Sequence, residues 1–176
     1  KRLMGPMPFP ELLGKLRYTQ RIAQPHISYA LSALSAFNAN HGKAHMRMLE
    51  EVARFCQQNK TAGLTSRRAI KGIRQLMVAS DATWCDNCDD YRSTDGNGVW
   101  MYGTLIMEST KKQPFTSRSV HESELGAINR ACLAAKAVAN LLTGLGILVE
   151  TPIPVYCDNL AVIQTLKDIG AKTGAK

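Results

Sequence analysis

Three acidic residues are placed where they could do chemistry together. Asp81 closes a short alternating run, Glu124 lies at the start of the strongest helical pattern, and Asp158 follows the apolar run 153–157. Carboxylates at strand ends, backed by apolar residues, can converge on one rim of a sheet. There they repel one another unless a cation sits between them, and their hard oxygens suit Mg²⁺. Each also has an ordinary structural use. A strand-end Asp forms turns, and a Glu in a first helical turn meets the positive end of the helix dipole. Spacing alone leaves both readings open.

The elements that must position these groups follow from periodicity. Residues 1–10 hold three prolines and read as an extended lead-in. Residues 11–24 read as a helix through Leu12, Leu13, Leu16 and Ile22. Pro25 suits the first turn of a second helix carrying Ile27, Ala30, Leu31, Leu34 and Phe37. A third helix is expected over 43–58, with Met46, Leu49, Ala53 and Cys56 on one stripe. Beyond Gly63 the period changes. Leu76, Val78 and Ser80 alternate with Met77, Ala79 and Asp81, a strand pattern, and a polar loop is expected over 85–98. Strand-like runs at 99–102 and 105–108 are split by Gly103-Thr104. A long helix is expected from about Ser123 to Gly144 or Gly146, then a buried strand at 153–157 and a last helix over 159–169. The tail from Gly170 is expected to be mobile. The order strand, strand, strand, helix, strand, helix predicts an α/β layered domain with a mixed sheet, preceded by an α-helical segment.

With 176 residues and 45% hydrophobic content, the chain can bury a core as one domain or a domain with a helical extension. Its net charge of +8 is uneven: residues 1–75 carry 13 Lys and Arg against 3 Asp and Glu, and residues 76–176 carry 9 against 11. A basic arm beside a mildly acidic body suits a polyanionic partner, although a solvated helical surface would look the same. No run of 18 apolar residues exists, which argues against a membrane span, and no leader-like pattern opens the chain. We therefore expect an intracellular protein, cytoplasmic or nuclear. Lys1 in place of Met suggests a piece of something longer. The five cysteines are an odd number, so a disulfide framework is not expected. Cys85 and Cys88 form a lone C-x-x-C; His41 and His45 could in principle complete a zinc site, but reduced loop thiols are the simpler expectation.

Several segments, in order, resemble the ribonuclease H region of copia-type LTR-retrotransposon Pol polyproteins. Ser80-Asp81-Ala82-Thr83-Trp84 is similar to that family's S-D-A-D-W, and Asp89-Asp90-Tyr91-Arg92-Ser93-Thr94-Asp95-Gly96 to its D-x-R-x-S-T-S-G. Lys111-Lys112-Gln113-Pro114 repeats its K-K-Q-P. The stretch SVHESELGAI from Ser119 stands in for S-S-T-E-A-E-Y-x-A-L, and Tyr156-Cys157-Asp158-Asn159 matches Y-C-D-N. Upstream, Gln24-Pro25-His26-Ile27-Ser28-Tyr29-Ala30 is similar to the R-P-D-I-x-x-A that ends the reverse-transcriptase region. The chain departs from the pattern at Cys85-Asp86-Asn87-Cys88, Asn97 and Trp100.

The resemblance implies a ribonuclease H-like mixed sheet flanked by helices over 76–176, with 1–75 as the basic helices that join it to the reverse transcriptase. It also implies a last strand and a helix bearing a fourth acid beyond Lys176, so the domain would be truncated here. Asp81, Glu124 and Asp158 fall on the family's metal-binding carboxylates, with Asp81 bridging two Mg²⁺ ions; Glu122 is the neighbouring acid, but Leu125-Gly126-Ala127-Ile128 aligns Glu124 with the catalytic position. The implied reaction is two-metal hydrolysis of RNA paired to DNA, recognised by helix shape and 2′-hydroxyls. Arg67, Arg68, Lys71 and Arg74 would hold the phosphate backbone, with steep salt dependence. The reverse-transcriptase portion of the same polyprotein would be the protein partner. The alternative is a catalytically inactive, domesticated fold serving as a nucleic-acid-binding or assembly scaffold.

Overall fold

The computed structural model describes residues 7–66, 74–86 and 89–173, the last three by backbone alone. The chain forms two compact units, Lys1–Thr65 and Ser66–Lys176.

The first unit is helical: α1 (Phe9–Ile22), a 3₁₀ turn (Pro25–Ile27), α2 (Ser28–Ser35) and α3 (Lys43–Gln58). α1 begins two residues before its expected start, because Pro10 in the first turn gives up an N–H that has no helical partner there. Phe9 is thereby drawn into the core with Leu13, Leu16, Ile27, Leu31, Leu34 and Leu49. α2 is shorter than expected and stops before Phe37, whose ring stacks on His45 at 4.0 Å. His41 stacks on Phe9 at 4.5 Å, and His45 Nδ1 accepts the Gly42 N–H at 2.9 Å, closing the start of α3. Both histidines thus have structural employment inside this unit. Cys88, the second half of the C-x-x-C, lies outside the described residues.

The second unit contains β1 (Leu76–Thr83), β2 (Thr94–Met101), β3 (Thr104–Lys112), α4 (Val120–Gly144), β4 (Val155–Tyr156) and α5 (Leu160–Thr173). The strand order is β3-β2-β1-β4. The first three strands are antiparallel neighbours, and β4 lies parallel to β1 after the α4 crossover. The fold is therefore α/β with a mixed four-stranded sheet flanked by helices, compatible with a ribonuclease H-like arrangement. Tyr102 and Gly103 both take positive φ (49° and 79°) and close the β2–β3 hairpin in two residues. One sheet face presents Leu76, Val78 and Val99 to Ala131, Ala134 and Ala135 of α4; these small side chains let the helix approach closely.

Several boundaries differ from the sequence reading. β2 starts at Thr94, inside the expected loop, and its Asp95 is buried against Arg130 of α4 at 2.8 Å. β3 runs on through Lys112. α4 starts at Val120 because Ser119 caps it, its Oγ accepting the Glu122 N–H at 3.2 Å. β4 is only two residues long; Pro152 and Pro154 supply no N–H to lengthen the ladder. α5 continues past Gly170 to Thr173, where a mobile tail was expected.

Candidate metal centre

Each of the three acids is carried by a different element at one rim of the sheet. Asp81 lies on β1 opposite Gly96, two residues before the strand ends, and is exposed. Asp158 sits in the tight turn between β4 and α5 and is exposed. That turn is fixed on one side by Asn159, whose Oδ1 accepts the Val162 N–H at 3.2 Å and caps α5. On the other side the Asn159 N–H points at Cys157 Sγ, 3.4 Å away. Glu124 lies one turn further into α4 than the sequence suggested, and is 4% exposed.

The start of α4 is held by Gln113. Its Nε2 donates to the Ser123 carbonyl at 2.8 Å, its Oε1 accepts from Ser117 Oγ at 2.9 Å, and its backbone N–H donates to Ser93 at 2.7 Å. Gly126 completes the joint. A Cβ there would stand 2.9 Å from the Phe115 ring and 3.3 Å from Gln113 Nε2. The Lys111-Lys112-Gln113-Pro114 segment, matched from sequence to the K-K-Q-P of the family, thus ends β3 and locks the helix that carries Glu124.

Glu124 feels the charges of both other acids, although Asp81 is not among the residues whose ligand atoms group with its own. Burial pushes the Glu124 carboxyl above its ordinary value, and the charges of Asp81 and Asp158 push it further, against one backbone hydrogen bond from Ala82. Glu122 is different. It is exposed, and its Oε2 accepts the Arg118 N–H at 2.7 Å, so it serves the helix start. Of the two neighbouring acids, Glu124 is the one whose carboxyl lies within 4.8 Å of ligand atoms of Cys157 and Asp158.

Sequence reasoning missed Cys157. Its thiol donates toward Glu124 Oε2 at 4.0 Å, and ligand atoms of Glu124, Cys157 and Asp158 all lie within 4.8 Å of one another. Burial raises the Cys157 thiol first, and the charges of Glu124, Asp158 and Asp81 add to it against a hydrogen bond from Asn159. Adjacency to Asp158 was the only local signal. A donor set of mutually repelling carboxylates, one of them buried, fits a divalent cation of hard character, with the thiol as an added soft donor.

Of the four expected phosphate contacts, Arg67, Arg68 and Lys71 lie outside the described residues. Arg74 is exposed, just before β1. Seven residues separate it from Asp81, roughly 23 Å at the rise of an extended chain, so it belongs to the other end of that strand.

An α/β layer with a carboxylate cluster on its rim is the class that fold and site define. The relatives narrow it. The chain is 31% identical over 159 residues, 90% of its length, to the retrovirus-related Pol polyprotein from transposon RE1 of Arabidopsis thaliana, and covers 11% of that polyprotein. It is 25% identical over 168 residues to the Pol polyprotein from transposon TNT 1-94 of Nicotiana tabacum, covering 12% of it. It is also 30% identical over 128 residues to secreted RxLR effector protein 161 of Plasmopara viticola, covering 73% of this chain and 89% of that protein. Over most of its length the chain is thus homologous to retrovirus-related Pol polyproteins of transposons. It spans about a ninth of the length of the Pol polyproteins it matches. No family model matches the chain, and no solved structure does. Among the described residues, no helix is long and apolar enough to cross a membrane.

Proposed function

We propose that this chain is the ribonuclease H portion of a retrotransposon Pol protein, hydrolysing the RNA strand of RNA/DNA hybrids. The observation that carries the reading is the buried Glu124 carboxyl, with ligand atoms of Asp158 and Cys157 within 4.8 Å and the charge of Asp81 acting on it. Such an arrangement is costly without a cation and useful with one. Asp81, Glu124 and Asp158 would hold the Mg²⁺ ions. Bound there, the metal supplies Lewis-acid stabilisation of the leaving oxygen and lowers the pKa of an attacking water.

The chain's own residues have separate tasks. Exposed Asp81 and Asp158 face the solvent side from which a duplex arrives. Glu124 is fixed from behind by α4 and by Ala82, which limits the reorganisation needed when charge develops. The test is cleavage of an end-labelled RNA/DNA hybrid with and without Mg²⁺. Cleavage is expected with the ion only, and a fall of about 100-fold or more is expected for Asp158→Asn.

A second reading, a catalytically silent fold used for binding or assembly, draws on exposed apolar side chains toward the end of α4 and just beyond. Leu141, Leu145 and Leu148 are 64%, 67% and 91% exposed. Hybrid binding without any Mg²⁺-dependent cleavage would favour it.

A further inference from the structure

A polar layer lies between α4 and the sheet, just behind the acids. On β1, Ser80 follows Val78 on the face turned to α4, and its register partner Asn97 holds the same alternation with Val99 on β2. On the helix side, Ser123, Ala127 and Ala131 recur every four residues. Ser123 therefore continues the stripe that packs on Val78 and Val99. Gln113 joins the two sides, donating to the Ser123 carbonyl at 2.8 Å and hydrogen-bonding Asp95, the next residue of β2 on that face. Ser80, Asn97 and Ser123 are 7%, 7% and 0% exposed. Among the described residues, the Ser80 and Ser123 hydroxyls and both polar atoms of the Asn97 amide have no hydrogen-bond partner.

Buried polar atoms in folded proteins are paired, with protein or with ordered water, and an internal water is held where several polar partners surround it. The Asn97 amide brings both donors and an acceptor, and each serine hydroxyl brings one of each kind. Water, which donates and accepts, suits such a set. The position gives the layer its consequence, because Ser80 and Ser123 immediately precede Asp81 and Glu124 in the chain. We propose that Asn97, Ser80 and Ser123 bind internal water, and that this layer sets the spacing of Asp81 and Glu124 around a divalent ion. Asn97 is then a positioning residue, acting on the acids through the water and the two serines. It is also a point where the chain departs from the family pattern, so the layer is no part of what that resemblance implies. The positioning role rests on the metal-centre reading; the water site does not.

The test counts internal water and measures ion affinity separately. Magnetic relaxation dispersion of the water oxygen, on the metal-free full chain, detects water held longer than the protein takes to tumble. The wild type is expected to show such water, and Asn97→Leu, of similar size, to lose part of it. The same variant is expected to weaken Mn²⁺ binding by about tenfold. Asn97→Ser, which keeps a hydroxyl and leaves space for a further water, is expected to recover most of that affinity. Val78→Ala loosens the same helix–sheet contact without touching the polar side chains. It is expected to lower the melting temperature and leave Mn²⁺ affinity as in the wild type. If Asn97→Leu does not fold, Ser80→Ala and Ser123→Ala carry the same comparison. An unchanged dispersion in the variants overturns the water site. Equal losses of Mn²⁺ affinity in Asn97→Leu and Val78→Ala overturn the positioning role. Wild-type Mn²⁺ binding that Asn97→Leu leaves intact also removes that role, and spares the metal centre. A wild type with Asn97-dependent water but no Mn²⁺ binding removes the metal centre, and the positioning role with it, and keeps the water site.

Discussion

Glu124 is the residue at which burial and neighbouring negative charge converge. Its folded-state pKa lies above the ordinary 4.5, for reasons of burial first and of Asp81 and Asp158 next. For a raised acid, stability is fully present below the unfolded value and is lost as pH rises through the folded one. At neutral pH the ionised carboxylate therefore weighs against the metal-free fold. Glu124→Gln is expected to stabilise the metal-free protein at pH 7 and to change its stability little at pH 4. Thermal denaturation at the two pH values, without divalent ions, checks it; a variant less stable than wild type at pH 7 would contradict it. The three acids were legible as candidates from their residue types and from motif order. That Glu124 is buried was not, because nothing local reports how Gln113 and Phe115 pack at the neighbouring Ser123 and Gly126. Cys157 was missed for the same reason: its partner Glu124 is 33 residues away.

At the level of elements, β2 is the instructive case. The stretch Thr94-Asp95-Gly96-Asn97 looks like loop in one dimension, being polar and glycine-containing. It is strand because Asp95, 1% exposed, faces α4 and meets Arg130 at 2.8 Å. A charge 35 residues away decides the local structure, and no window of sequence contains both. Burial pushes the Asp95 carboxyl upward, and Arg130 is the foremost influence pulling it back. Removing the cation alone leaves a buried charge without compensation. Arg130→Ala is expected to cost about 3–5 kcal/mol in urea denaturation, and Asp95→Ser with Arg130→Met to recover most of it. Equal losses in single and double variants would show that the pair does not hold α4 to the sheet. By contrast, α3 was legible residue for residue, since a strong apolar stripe and flanking glycine leave little for distant contacts to decide.

At the scale of the molecule, two units with separate cores share one chain, and most of the basic excess sits in the sequence of the first while the three acids sit in the second. Fold class was readable because the change of period, from helical to alternating, coincides with the change of architecture. The proposed centre requires three separate elements to meet at one rim, and its most direct probe is the ion itself. Mn²⁺ binding, followed by the relaxation of water protons, should be measured for wild type, Asp81→Asn, Glu124→Gln and Asp158→Asn. Saturable binding by wild type, weakened about tenfold or more in each variant, is the expected result. Equal affinity in all four proteins would mean that these carboxylates share no ion, and the proposed nuclease centre would fall with it.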